Sequence, residues 1–191
     1  MKKKAEYIIM DNYSAGYKGI EHLWRLAHDR IAIITGALNA SNAIASLEGS
    51  KAALKRFGIK IPKSYIKEGK SSQRKAFLVC ERLMKSKNPP TAVFAHDENM
   101  ALGAREAILN LGLKIPKDVS LMGIDNIKTG ALTGIELTTI SQKKYEMGAM
   151  GVKILVNRIE EKVPRMVKKI VLDAELIIRK TFGYQESGYS R

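Results

Sequence analysis

The chain predicts an α/β fold built on a doubly wound parallel sheet, and three observations carry the prediction. Short apolar runs alternate with amphipathic stretches of about a dozen residues or more, the spacing that right-handed βαβ crossovers need. Several of those runs are apolar without interruption, as strands covered on both faces are. No fixed-period repeat or low-complexity linker divides the 191 residues.

The elements follow in order. Tyr7–Met10 reads as a short strand ended by Asp11-Asn12, and Tyr17, Ile20, Leu23 and Leu26 then fall at helical spacing. His28-Asp29 is a break before the buried strand Arg30–Thr35, which Gly36 stops. The polar loop Asn39–Asn42 leads into a helix with Ile44, Leu47, Leu54 and Phe57 inward, closed by Gly58. Tyr65–Lys67 is a weak strand, and Ser71–Met84 is a helix with Ala76, Phe77, Cys80, Leu83 and Met84 on one face. Thr91–Ala95 is a buried strand, and Met100, Ala101, Ala104, Ala107, Ile108 and Leu111 make the stripe of the next helix. Asp97 stands at its N-cap position and Gly112 at its C′ position. Val119–Ile124 is a further buried strand, Leu137–Ile140 a short one, and Tyr145–Ile159 a helix with Met147, Met150, Ile154 and Leu155 inward. Lys162–Lys169 is a basic stretch broken by Pro164, Ile170–Arg179 alternates as one last strand, and the pattern fades into a tail from Thr181.

Parallel strands place their carboxyl ends on one edge, where ligands bind in open α/β sheets. Four such ends are expected together: Thr35-Gly36, Ala95–Asp97, Ile124–Asn126 and Thr139–Gln142. Asp125 ends an uninterrupted apolar strand there, and its carboxylate can accept bonds from two hydroxyls or an amine. An Asp-Asn turn is the plainer alternative. His96 is either a cleft-lining group or a simple loop residue, and Asp97 reads first as a helix cap.

Composition narrows the function. The formal net charge is +14, from 33 basic and 19 acidic residues. Lysines outnumber arginines 23 to 10, and aromatics make up 6%. That balance describes a solvated lysine-rich surface better than a DNA reader, which leans on arginine for base edges. The single Cys80 fits a reducing cytoplasm and sits on an apolar helical stripe, where a packed thiol is expected. Glu6, Asp11 and Asn12 interrupt any signal segment after Met1–Lys4, and no run approaches the roughly 20 residues of a membrane span. A cytoplasmic, non-membrane protein is expected. The three histidines fall on different elements, and no metal-ligand spacing, nucleophile elbow or phosphate-binding glycine loop is present. Neither an enzyme, a metal site nor a cofactor is expected.

Five segments, in order and in register, resemble one family. Pro90–Gly103 (PTAVFAHDENMALG) resembles its P-T-A-V/I-F segment followed by M/L-A-x-G, and Leu113–Ser120 (LKIPKDVS) its I-P-x-D-V-S turn. Met122–Asn126 (MGIDN) resembles its G-F/Y-D-D/N strand end, and Leu137–Gln142 with Tyr145–Gly148 its L-T-T-I-x-Q…Y/F-x-x-G. Asp11-Asn12, Glu21–Leu23 and His28–Gly36 complete the set. The chain is similar to the effector-binding and dimerisation region of LacI/GalR bacterial transcription regulators.

That resemblance implies a periplasmic-binding-protein-like I fold, with two doubly wound subdomains, three crossovers and an effector in the cleft. Residues 30–139 and 168–184 would form a complete C-terminal subdomain. Residues 1–29 and 140–167 would be the remnant of an N-terminal one, and 185–191 a tail. The helix-turn-helix and the first half of the N-terminal subdomain have no counterpart here, so the chain alone is expected not to bind operator DNA and to expose apolar surface. Asn42, Ser46, His96, Asp125 and Gln142 stand at the implied effector contacts. Ser46 occupies the position, three before Gly49, where the family carries an arginine whose fork holds adjacent oxygens. His96 stands where the family has Asn or Ser. The implied function is small-molecule sensing, of a sugar or a relative, by a repressor that dimerises near the helix at Asn99–Leu111. A periplasmic-type sugar-binding protein of a transport system is the alternative.

Overall fold

The computed structural model describes residues 6–160 and 169–184, so the basic stretch before Lys169 and the tail at 185–191 lie outside the described residues. The elements are β1 (Tyr7–Met10), α1 (Asn12–Arg25), β2 (Ile31–Thr35), α2 (Ser41–Arg56), β3 (Ile66–Glu68), α3 (Gln73–Met84) and β4 (Ala92–Ala95). They continue with α4 (Glu98–Asn110), β5 (Ser120–Asp125), β6 (Thr138–Ser141), α5 (Lys144–Ile159), β7 (Lys169–Leu172) and β8 (Glu175–Ile177). The main sheet runs β3-β2-β4-β5-β6-β8, parallel except for β8, which lies antiparallel to β6. β1 and β7 form a separate parallel pair.

Alternation along the buried strands decides which helices cover which face. Ile31, Ile33, Phe94, Met122 and Ile124 point to the side of α1 and α2, where they join Ile20, Leu23, Leu47 and Leu54. Ala32, Ile34, Val93, Ala95 and Leu121 point to the other side, against Cys80, Leu83, Met100 and Ile108 of α3 and α4. Helices on both faces remove both sides of β2 and β4 from water, which is why these strands are apolar without alternation. Cys80 is packed in this core, and burial pushes its thiol up to about 12, so it stays protonated.

Small residues let the helices approach closely. A Cβ on Gly49 would stand 1.9 Å from the Tyr13 backbone oxygen, and one on Gly16 would stand 1.9 Å from that of Ser46. α1 and α2 therefore touch backbone to backbone. Gly49→Val is expected to cost about 1–3 kcal/mol or more, because rigid backbone rather than a flexible side chain must yield. A urea titration reads this as a lower midpoint; an unchanged midpoint would mean that the two helices do not cross this closely.

Several expectations need correction. The run Ile170–Arg179 is two strands in two sheets, broken at Asp173-Ala174, where Asp173 pairs with Lys18 at 2.8 Å and accepts the Ala174 N–H. Thr181 does not begin a tail: it is 3% exposed, donates to the Leu121 carbonyl and accepts the Thr138 N–H. Ile44 faces outward, and Ala43, Ser46, Leu47, Ser50, Ala53 and Leu54 form the buried face of α2 instead. No residue of α5 is buried, and Leu155 is 60% exposed: among the described residues this helix meets chiefly β1, of the two-stranded sheet. Of its expected inward residues, Met147 packs partly against the core. α1 buries Ile20 and Leu23 in the same core as Ile31, Ile33 and Phe94 of the main sheet. β7 pairs with β1 in the small sheet.

Candidate effector-binding site

β2, β4, β5 and β6 run parallel, so their carboxyl ends share one edge of the main sheet. A cavity of about 350 Å³ opens there. All five residues singled out from the sequence, Asn42, Ser46, His96, Asp125 and Gln142, line it. Four further polar residues, Asn12, Ser71, Asp97 and Asn99, join them. Asn12 enters from the start of α1, directly after β1, so the small sheet also delivers a side chain to the cavity.

Asp125 closes β5 with φ at +123°, followed by Asn126 at +53°, conformations that cost free energy for residues with a Cβ. The Asp-Asn pair is therefore a turn as well as a wall of the cavity. Arg179 fixes it, donating to the Asn126 side-chain oxygen at 2.7 Å and to the Leu137 carbonyl at 2.6 Å. Asn126 also donates from its backbone to Thr139 Oγ1 and from its amide to Ser141 Oγ. Burial foremost, with the neighbouring Asp97 and Glu98 charges adding to it, pushes the Asp125 carboxyl up to about 6. Lys144 and the Glu98 backbone N–H work the other way. At neutral pH the group is ionised, yet easily protonated. Arg179→Met is expected to weaken ligand binding about tenfold with little change in the melting temperature, since it frees the turn and leaves the core intact. Calorimetric titration beside a melt separates the two effects.

His96 follows β4 and lines the cavity as a buried group. Its ring stands edge-on to Phe94 at 4.9 Å, and Nε2 lies 3.1 Å from Ser50 Oγ. Burial pushes its pKa down to about 3, so the imidazole is neutral. Asp97 caps α4, accepting the Met100 N–H at 2.7 Å, and lines the cavity as well. Glu98 is fully buried behind Asp125, where its Oε2 accepts the Ile127 N–H at 3.1 Å. Gly130 leaves room for it, since a Cβ there would meet Oε2 at 2.3 Å. No local pattern marks this role: an acidic residue in the first turn of a helix reads as a complement to the dipole.

The other two histidines do not line this cavity. His28 bridges Thr91, Ser120 and the Gly183 carbonyl at 3.0–3.1 Å, at the opposite edge of the sheet. A larger open hollow of about 570 Å³ lies between α1 and the Asp173–Leu176 segment. Its charges are largely occupied with one another, Lys18 with Asp173 and Arg25 with Glu21. The cavity at the strand ends offers hydrogen bonds from amides, hydroxyls, a neutral imidazole and carboxylates. No cluster of metal-ligating side chains occurs among the described residues. No helix among them is long and apolar enough to cross a membrane.

Residues 20–182 match the periplasmic binding protein-like domain family. The chain is 34% identical over 177 residues to the HTH-type transcriptional repressor PurR of Haemophilus influenzae (strain PittEE), covering 91% of this chain and 53% of that protein. It is 34% identical over 170 residues to the HTH-type transcriptional repressor CytR of Escherichia coli (strain K12), covering 89% of this chain and 50% of that one. The chain thus spans about half the length of these relatives. A LacI family transcriptional regulator from Enterococcus faecium, solved with bound ribose, superposes with a TM-score of 0.86 at 26% identity, covering 97% of this chain and 68% of that one. These relatives are regulators, and the transport-protein alternative gains nothing from them. The chain belongs to the periplasmic binding protein-like domain family and is an effector-binding region of the LacI/GalR kind.

Proposed function

We propose that this chain is the effector-sensing part of a cytoplasmic LacI-type transcriptional repressor. A small polar molecule, a sugar such as ribose among the first to try, binds at the carboxyl edge of the main sheet. Binding changes the angle between the main sheet and the β1–β7 unit, and a DNA-binding segment of the longer protein reads that angle as operator affinity. The observation that carries this reading is convergence: polar side chains from α1, α2 and the ends of β4, β5 and β6 line one cavity. Asn12 and Gln142 sit where the chain passes between the two units, so a ligand held by both is sensitive to their angle. In this reading the site binds rather than catalyses: Ser50, the hydroxyl within reach of His96, is fully buried and does not line the cavity. Pairing into homodimers on the α4 side belongs to the same reading.

A thermal-shift screen of the 191-residue chain against sugars, polyols and nucleobases tests it. A ligand at roughly 100 times its dissociation constant adds about 2.7 kcal/mol of stability. A stabilising compound whose effect disappears in Asp125→Ala supports sensing at this cavity. Stabilisation unchanged in Asp125→Ala and Gln142→Ala would place the sensor elsewhere.

A further inference from the structure

Charge is distributed unevenly along this chain. Residues 51–87 hold twelve of its 33 basic side chains and two of its 19 acidic ones, a net +10 out of +14. All twelve cations are exposed. Lys70 stands 4.0 Å from Glu68 and Lys85 stands 2.7 Å from Glu81, and the other ten meet no carboxylate among the described residues. The topology gathers most of them. β3 pairs in parallel with β2 and ends the main sheet, and the crossovers through α2 and α3 bring both helices back to its amino edge, opposite the effector cavity. Lys55 and Arg56 end α2, Lys60 and Lys63 follow it, and Arg82 and Lys87 stand at and just past the end of α3. A cation in the last turn of a helix complements the dipole, which accounts for Lys55, Arg56 and Arg82. A lysine on an edge strand deters self-pairing, which accounts for Lys67. Neither reason covers Lys60, Lys63 and Lys87.

A hollow of about 550 Å³ opens at the same corner, between the start of β3 and the end of α3. Buried Tyr65 and Leu83 and half-buried Val79 line it together with the exposed cations Lys67, Arg82 and Lys87, and none of its lining residues is acidic. Its shape is fixed before anything enters. The Tyr65 hydroxyl donates to the Asn88 carbonyl, and the Ser86 hydroxyl donates to the Leu83 carbonyl at 2.7 Å. The hollow calls for a large apolar group, and the surface around it calls for several negative charges. A DNA duplex supplies the charges but lays phosphates and sugars along such a flank, with no apolar side chain to fill the hollow. An acidic peptide with an apolar side chain supplies both.

We propose that this corner docks an acidic segment of a partner protein. One aromatic or leucine side chain of that segment fills the hollow against Tyr65, Val79 and Leu83, and its carboxylates meet Lys67, Arg82, Lys87 and the cations beside them. The surface stands apart from the effector cavity and does not depend on what binds there.

Fluorescence anisotropy of the 191-residue chain with labelled probes tests it. The probes are a dodecapeptide of aspartate and glutamate with one central tryptophan, its alanine counterpart, a counterpart with lysine at every acidic position, and a short DNA duplex. The tryptophan peptide is expected to bind at low salt at least about tenfold tighter than the alanine peptide and the duplex, and to weaken as salt is added. The lysine peptide should not bind. Methyl spectra should show the Val79 and Leu83 resonances moving with the tryptophan peptide. Combining Lys67→Glu, Arg82→Glu and Lys87→Glu should lower its affinity at least about tenfold with little change in melting temperature, since all three side chains are exposed. The peptide comparisons in the parent chain decide the matter even if that variant melts early. Alanine and tryptophan peptides that bind equally, or Val79 and Leu83 methyls that do not move, would overturn the anchored docking. A duplex that binds as tightly as the tryptophan peptide would make the corner a nucleic-acid surface and overturn the acidic partner. No binding of the tryptophan peptide at low salt would overturn the proposal outright, and each of these results leaves the effector reading in place.

Discussion

Phe94→Ala is expected to destabilise the chain by about 3–5 kcal/mol, the range for emptying a buried aromatic site. Phe94 lies in β4, a central strand flanked by β2 and β5, and is fully buried. Its ring fills the space opposite Gly19, where a Cβ would stand 2.3 Å from the ring, and supports the edge of His96. A strand held on both sides cannot move into the void, so little of the cost is recovered. Against a total stability of about 5–15 kcal/mol this is a large share of the margin. It corresponds to a fall of roughly 6–20 °C in melting temperature for a domain of this size. Ligand binding should weaken as well, because His96 loses the surface that positions it. Melting and denaturant titrations read the first effect, and a loss below about 1 kcal/mol would mean that the core does not close around this ring.

Asp125→Asn is expected to move stability and binding in opposite directions. The carboxyl titrates at about 6 in the folded chain against 3.8 ordinarily, with burial as the main cause. The folded state therefore holds the proton more tightly than the unfolded state. The stability this contributes is complete below about pH 4 and is lost as the pH rises through the window to about 6. Asparagine cannot ionise, so the variant should match the parent near pH 4 and exceed it in melting temperature at pH 8. Asparagine also tolerates the positive φ at this position better than most residues. Binding should fall, at least about tenfold at pH 8, because the strongest acceptor is gone. In the parent chain, affinity should decline as the pH drops below about 6, and that decline should be absent in the variant. A variant that melts lower at pH 8 than at pH 4 relative to its parent would contradict the assignment. Free energy given up in the empty state to hold a charge where a ligand arrives is characteristic of a binding site.

Much of this site was legible in the sequence because the strands that build it are unambiguous. Arg30–Thr35, Thr91–Ala95 and Val119–Ile124 are apolar without alternation, and the helical stripes between them force the strands parallel. Once they are parallel, His96, Asp125 and Gln142 fall on one edge, and the first turns of α2 bring Asn42 and Ser46 to it. What escaped lacks a local signal. Ile170–Arg179 alternates without glycine or proline, so nothing in it announces the change of sheet at Asp173. The stripe on α5 states that the helix is amphipathic and is silent about what stands beside it. Arg179 and Thr181 act across 41–60 positions of chain, on Thr138, Asn126 and Leu121, and no sequence period encodes contacts at that range. Ile44 shows the limit of an apolar residue at helical spacing, since the buried face of α2 is carried largely by alanine and serine against α1.

Effector binding at the carboxyl edge of the main sheet is put to the test by a crystal structure of the 191-residue chain soaked with the compound that stabilises it most. Ligand density is expected among His96, Asp125 and Gln142, with a donor of the ligand on the Asp125 carboxylate. Density in the open hollow beside Lys18 and Asp173, with the strand-end cavity empty of ligand, would contradict it.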